Sequence, residues 1–104
     1  MIIAAVMYPH EEGKRFDLEY YLKQHMTRVE ELWGPMGLRE ARVLQGLAGG
    51  QPGQPAPYRV IAQLQFDTVE AFQKAVGAHG EELFGDVPNF TDITPQVQIS
   101  EIVL

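Results

Sequence analysis

A small set of side chains in this sequence could carry proton chemistry, and His25 is the first of them. An imidazole titrates ordinarily near ~6.5, so it can give or take a proton around neutrality. His25 stands in the run Phe16 to Trp33, FDLEYYLKQHMTRVEELW. Tyr21 precedes it by four residues, about one helical turn, and so can stack on the ring or bond to it. Tyr20 and Tyr21 occupy adjacent helical positions, so only one can face the same pocket as His25, and Tyr21 has the matching spacing. His25 and Tyr21 are therefore the candidate catalytic pair, one moving a proton and the other binding substrate or orienting the ring. Tyr8, Tyr20, Asp86 and Phe90 are the candidate substrate-binding residues. Tyr8 lies near a strand end and offers an aromatic wall or a hydroxyl. Asp86 and Phe90 belong to the segment DVPNFTD, where Asp86 can bond backbone amides or serve a ligand and Phe90 is expected to be exposed. Each residue also has a plain reading: a core histidine with a satisfied nitrogen, core-edge tyrosines, a capping aspartate.

Other chemistries find little support. The 104 residues include no cysteine, which removes disulfides, thiolate metal sites and a thiol nucleophile. Ser100 is the only serine and falls mid-strand, so a serine triad is not expected. His10 and His79 have no partner at metal-ligand spacing, and no metal or cofactor is expected. The dipole of a helix ending near His79 accounts for that residue. Gly46, Gly49, Gly50 and Gly53 are interleaved with prolines and precede no helix, unlike a phosphate-cradling loop. The formal net charge of −6, with scattered Lys and Arg, argues against nucleic acid or an anionic membrane as partner. The opening MIIAAVMYP has no basic flank and is too short to span a bilayer, so a soluble cytoplasmic protein is expected.

One domain over residues 1–104 must position these groups, since single cores are usually built from roughly 100–200 residues. Residues 2–8 read as a strand apolar on both faces, hence central and covered on both. The run 16–33 reads as an amphipathic helix capped by Asp17, with Leu18, Leu22, His25, Val29 and Leu32 as its buried stripe. Trp33 is expected to pack under the turn Gly34–Gly37, whose glycines and Pro35 stop the helix. Residues 39–47 form a second strand with a bulge at Gly46, followed by a long loop with three Gly and three Pro between 48 and 57. Residues 58–66 alternate cleanly as a third strand. A second helix begins at Asp67 or Thr68, with Glu70 as a capping-box partner of Asp67, and is expected to end or kink near His79 beside Gly77 and Gly80. Residues 95–103 close the chain as a strand. The order β-α-β-β-α-β is the split βαβ pattern of an α+β, ferredoxin-like domain, with two helices on one face of a four-stranded antiparallel sheet. The other face, carrying Ile61, Gln63 and Gln65, is a plausible dimer surface on so small a domain.

Tyr8-Pro9 followed by Phe16-Asp17-x-x-Tyr20-Tyr21-x-x-x-His25 resembles the signature of the EthD-like family. Residues 58–66 and 69–75 are similar to that family's second half, and Asp86-Val-Pro-Asn89-Phe90-Thr91 to its loop before the last strand. The chain departs from the pattern at Thr27, where many members carry a proline soon after the histidine. The resemblance implies a homodimer whose two sheets form a dimeric α/β barrel. It further implies an oxidoreductase-associated role in a degradative or oxidative pathway, by way of the monooxygenase system to which the founding protein belongs. Two functions follow as expectations. One is an enzyme using metal-free acid–base chemistry on a small hydrophobic or aromatic molecule. The other is a non-catalytic binding or accessory protein carrying such a molecule to a partner monooxygenase. A structural dimer with His25 satisfied in its core is the third and plainest reading.

Overall fold

The computed structural model describes residues 1–104. Strand β1 (Ile2–Pro9) pairs with β3 (Tyr58–Phe66) on one side and with β4 (Gln96–Glu101) on the other. Strand β2 (Glu40–Gln45) pairs with β3, giving the order β2-β3-β1-β4 with every neighbour antiparallel. Helix α1 (residues 18–33) and helix α2 (Val69–Gly85) cover one face. This is the ferredoxin-like arrangement expected from the sequence. No helix is long and apolar enough to cross a membrane.

The alternation of β1 decides which side is core. Ile2, Ala4, Val6 and Tyr8 are buried beneath the helices, whereas Ile3, Ala5 and Met7 are half-buried on the open face. Val60, Ala62, Leu64 and Phe66 of β3 join the same core, in register with β1, while Ile61, Gln63 and Gln65 share the open face. Gly46 lies just past β2, where its amide still bonds the Arg59 carbonyl at 2.8 Å. A Cβ there would meet the Tyr58 carbonyl oxygen at 2.2 Å, so the close approach of the two strands requires glycine.

Helix α1 departs from a regular α-helix in a consequential way. Asp17 caps it as expected, accepting from the Tyr20 amide at 3.1 Å. The segment Tyr21–His25 is then a π turn, with the Met26 amide bonding the Tyr21 carbonyl five residues back. The extra residue in this turn changes which side chains face the sheet. The buried stripe is Tyr21, His25, Met26, Val29 and Trp33, and the expected Leu22 is 46% exposed. A 3₁₀ turn, Gly34–Met36, ends the helix, and Gly37 follows at φ 107°, a conformation suited to glycine. Trp33 does not simply underlie that turn: its indole N–H donates to the Ala75 carbonyl at 2.9 Å and ties α1 to α2.

Helix α2 also differs from expectation. It runs unbroken for 17 residues through Gly77 and Gly80. Gly80 is buried, and a Cβ there would lie 2.9 Å from a Val76 methyl group, so the residue serves close packing instead of ending the helix. His79 is consequently mid-helix, and the dipole account of it does not hold. The cap is Thr68, whose hydroxyl accepts from the Ala71 amide at 3.1 Å. Asp67 makes no capping box with Glu70, because Arg39 engages both its carboxylate oxygens at 3.1 and 2.6 Å.

Candidate active site

The loop after α2 is fastened across the start of α1, and this brings His25 and Asp86 together. The Asp17 amide donates to the Phe90 carbonyl at 2.7 Å, and Phe16 and Thr91 form an isolated β-bridge. The Thr91 hydroxyl donates to the Arg15 carbonyl at 2.7 Å, and the Arg15 guanidinium to that of Pro88. Arg28 of α1 pairs with Glu82 of α2 at 2.6 Å on the surface above. These bonds fix the end of α2 against the π turn.

Asp86 is the hub of the arrangement. One carboxylate oxygen, Oδ2, lies 2.9 Å from His25 Nδ1. The other, Oδ1, accepts from the Tyr20 hydroxyl at 2.9 Å and from the Asn89 amide at 2.7 Å. Partial burial works against charge on Asp86. The hydrogen bonds from Asn89, His25 and Tyr20 outweigh it and hold the carboxyl below the usual carboxylate range. An ionised carboxylate only accepts, so the partner chemistry assigns the proton to His25 Nδ1. In the neutral form of the ring Nε2 is then the basic nitrogen.

His25 is 7% exposed and lines a small, partly open cavity of about 20 Å³ between the helices and the sheet. Tyr8 and Tyr21, each 1% exposed, line it as well, together with an apolar surround that includes Met26, Leu83, Phe84 and Val87. The Tyr21 ring stacks on His25 with centroids 5.4 Å apart and an interplanar angle of 16°. Burial pushes both the Tyr8 and Tyr21 phenols up, and at Tyr8 the proximity of Tyr21 and Asp86 adds to it. Both therefore remain neutral hydrogen-bond donors at physiological pH. Tyr20 is held in its protonated form chiefly by its bond to Asp86.

The structure thus corrects one expectation about these residues, the exposure of Phe90. Phe90 is not exposed. It is fully buried behind the histidine, 4.8 Å from that ring and within 6 Å of Tyr8, Phe16 and Tyr21. A phenyl ring leading the chain back toward the sheet gains more from this packing than from solvent, so it supports the ring from behind. As expected, only Tyr21 faces the cavity beside His25, lying over the face of the ring; Tyr20 lines the polar cleft outside it and reaches the histidine only through Asp86. Asp86 becomes the residue that orients the histidine. Asn89, Phe16, Phe84 and Val87 are additional members that sequence reasoning did not single out. The one available signal was Asn89, three residues after Asp86 across a proline turn, a spacing that folds the amide back onto the carboxylate.

A ferredoxin-like α+β domain with an oriented histidine between its helices and sheet is the class these features define. The chain belongs to the EthD family: the EthD domain matches residues 10–94. It is similar to the crystal structure of an EthD-like protein from Ralstonia eutropha JMP134. The two are 41% identical with a TM-score of 0.92, over 99% of this chain and 92% of that one. It is also similar in fold to an ethyl tert-butyl ether d (EthD) family protein from Bacillus halodurans C-125, at 20% identity and a TM-score of 0.66 over 97% of each chain. A dimeric ferredoxin-like protein of unknown function from Jannaschia sp. CCS1 shares the fold at 20% identity and a TM-score of 0.55, over 97% of this chain and 98% of that one.

Proposed function

We propose that this protein is a small-molecule enzyme in which His25 acts as a general base, and as the conjugate acid afterwards, on a hydrophobic or aromatic substrate. The observation that carries the reading is the His25–Asp86 pair, with Nδ1 committed to the carboxylate at 2.9 Å and the ring lining an apolar cavity. A carrier needs an apolar pocket but no oriented base, so the pair favours catalysis over simple carriage. Asp86 orients the ring and offsets the positive charge it acquires on protonation. Tyr21 keeps the ring plane, and the apolar walls keep competing water from the reacting group.

A cavity of about 20 Å³ holds roughly one water, whereas small-molecule pockets are commonly ~300–1,000 Å³. The substrate therefore enters by displacing a wall. Phe84 and Val87 line both the cavity beside His25 and an open, partly apolar groove of about 490 Å³ on the outer surface. They are the partition an entering ring would part. The half-apolar open face of the sheet, with Ile3, Ala5, Met7 and Ile61, suits a homodimer like that of the ferredoxin-like relative, two sheets closing into a barrel. The family suggests a degradative or oxidative pathway as the setting.

The test is a panel of aromatic carbonyl and carboxylic compounds assayed for proton exchange and decarboxylation with wild type and His25→Gln. Turnover by wild type that falls about 10²–10⁴-fold in the variant supports the role. Turnover surviving in the variant overturns it. Light scattering at micromolar concentration checks the dimer, which is wrong if only an 11.7 kDa species is found.

A further inference from the structure

The Tyr8 and Tyr21 hydroxyls take no part in holding His25 or Asp86. Both residues are about 99% buried, and neither phenol makes a hydrogen bond within the protein, in contrast to Tyr20. Yet no side-chain nitrogen or oxygen that is sealed off lacks a partner. The small exposure left to these tyrosines therefore falls at the hydroxyl oxygens, and the space both residues line is the cavity beside His25. Two buried phenols left open in an apolar surround are costly unless something accepts from them. The cavity of about 20 Å³ is the size of one oxygen-bearing group, not of a whole substrate. The rings approach edge-to-face at 5.9 Å, with Tyr21 also stacked on the imidazole, so both donors and the base border one small volume.

We propose that Tyr8 and Tyr21 form a two-donor site for a carbonyl oxygen, and that the substrate is a carbonyl compound carrying an acidic C–H next to that group. This rests on the reading of His25 as the base and names the substrate class for the same site. His25 Nε2 takes the proton from the carbon beside the carbonyl. The electron pair of the broken C–H bond becomes the C=C bond of an enolate, and the carbonyl π pair moves onto oxygen. The two phenolic O–H groups donate to that oxygen as its charge develops, which is where a preorganised donor acts most strongly. The imidazolium, steadied by Asp86, returns its proton to the same carbon or to a conjugated one, giving exchange or isomerisation without a redox partner. The apolar ring of the substrate occupies space opened at Phe84 and Val87.

Two measurements test the site on the full chain. The first is deuterium uptake by 2-tetralone in D₂O, followed by NMR. The second is binding of 4-nitrophenolate, an enolate mimic, followed by its absorption shift. Wild type is expected to catalyse the exchange and bind the phenolate. Tyr8→Phe and Tyr21→Phe should each slow exchange about 10²–10³-fold and weaken phenolate binding at least tenfold, with melting temperatures retained. If wild type catalyses exchange through His25 but both variants stay within threefold of it, the oxygen site is wrong and the base stands. If exchange persists in His25→Gln while the phenolate still needs both tyrosines, the base is wrong and the oxygen site stands. A wild type that neither exchanges the ketone nor binds the phenolate overturns the proposal.

Discussion

The seam between helices and sheet holds two aromatic clusters built from the same kind of residue to opposite ends. At one end Trp33, Phe66 and Phe72 meet edge-to-face with centroids 5.4 to 6.1 Å apart. Their single polar atom, the Trp33 indole N–H, is paired with the Ala75 carbonyl. At the other end Tyr8, Phe16, Tyr21, His25 and Phe90 pack just as closely, with centroids between 4.8 and 5.9 Å. Here the hydroxyls of Tyr8 and Tyr21 find no partner in the protein, and an ionised carboxylate stands at the edge. Packing density does not separate core from site in this molecule. What separates them is whether the polar atoms the rings bring with them are satisfied.

The first way to break this contrast is to truncate each end in turn. Trp33→Ala removes a fully buried indole and the bond that ties α1 to α2, so it should cost about 3–5 kcal/mol of stability. Its effect on catalysis should be confined to what is lost through unfolding. His25→Gln should do the reverse, abolishing proton transfer while leaving chemical denaturation within about 1 kcal/mol of wild type. Equal losses of stability from the two substitutions would show that both ends are simply core.

Much of this contrast was legible from spacing. The order of elements, the Asp17 cap and the Tyr21–His25 stack all follow from local periodicity, which a single helical turn or strand pair decides. The π turn was not legible, because the Tyr21 to His25 run has good helix formers at its exposed positions and no breaker marks the widened hydrogen bond. It moved the stripe from Leu22 to Tyr21 and Met26. Phe90 and Asp86 were unplaced for a different reason. Their positions depend on bonds made 61 to 76 residues away in sequence, such as His25–Asp86 and Thr91–Arg15, and no local pattern encodes those. Helix α2 runs past Gly77 and Gly80 because its buried stripe continues on both sides of them, at Phe72 and Ala75 before and at Leu83 after, and that burial outweighs the propensity cost of glycine.

A sharper version of the contrast asks whether the carboxylate matters for its charge or its shape. Asp86→Asn keeps the shape and the bonds that a side-chain oxygen can accept. It also places an amide donor where Nδ1 needs an acceptor, which favours the opposite tautomer and leaves Nε2 protonated. Activity should fall about 10²–10³-fold with little change in fold. The Asp86 carboxyl lies below its ordinary value in the folded protein. Its stabilising contribution is therefore fully present above the unfolded value of about 4 and is lost as pH falls through the folded value. Asp86→Asn has no such group to protonate, so melting temperatures measured from pH 6 down to pH 2 should decline less steeply than in wild type. Parallel declines would mean that other carboxylates, such as Asp67 and Glu82, carry the acid sensitivity alone.

The smallest expected effect distinguishes the donors that share Asp86. Tyr20→Phe removes one of three hydrogen bonds to the carboxylate and leaves those from Asn89 and His25 in place. Losing a donor disfavours the ionised form, so the carboxyl should move up toward its ordinary value. Once protonated, Asp86 no longer offers His25 Nδ1 a charged acceptor, and the base loses its orientation. A ¹³C NMR titration of the Asp86 carboxyl should accordingly move to higher pH than in wild type, with a loss of activity of only about threefold to tenfold at neutral pH. Because Tyr20 also lines the polar cleft outside the seam, a purely structural role would leave that titration in place. A titration that does not move would therefore remove Tyr20 from the site and leave Asn89 as the donor that fixes Asp86 Oδ1.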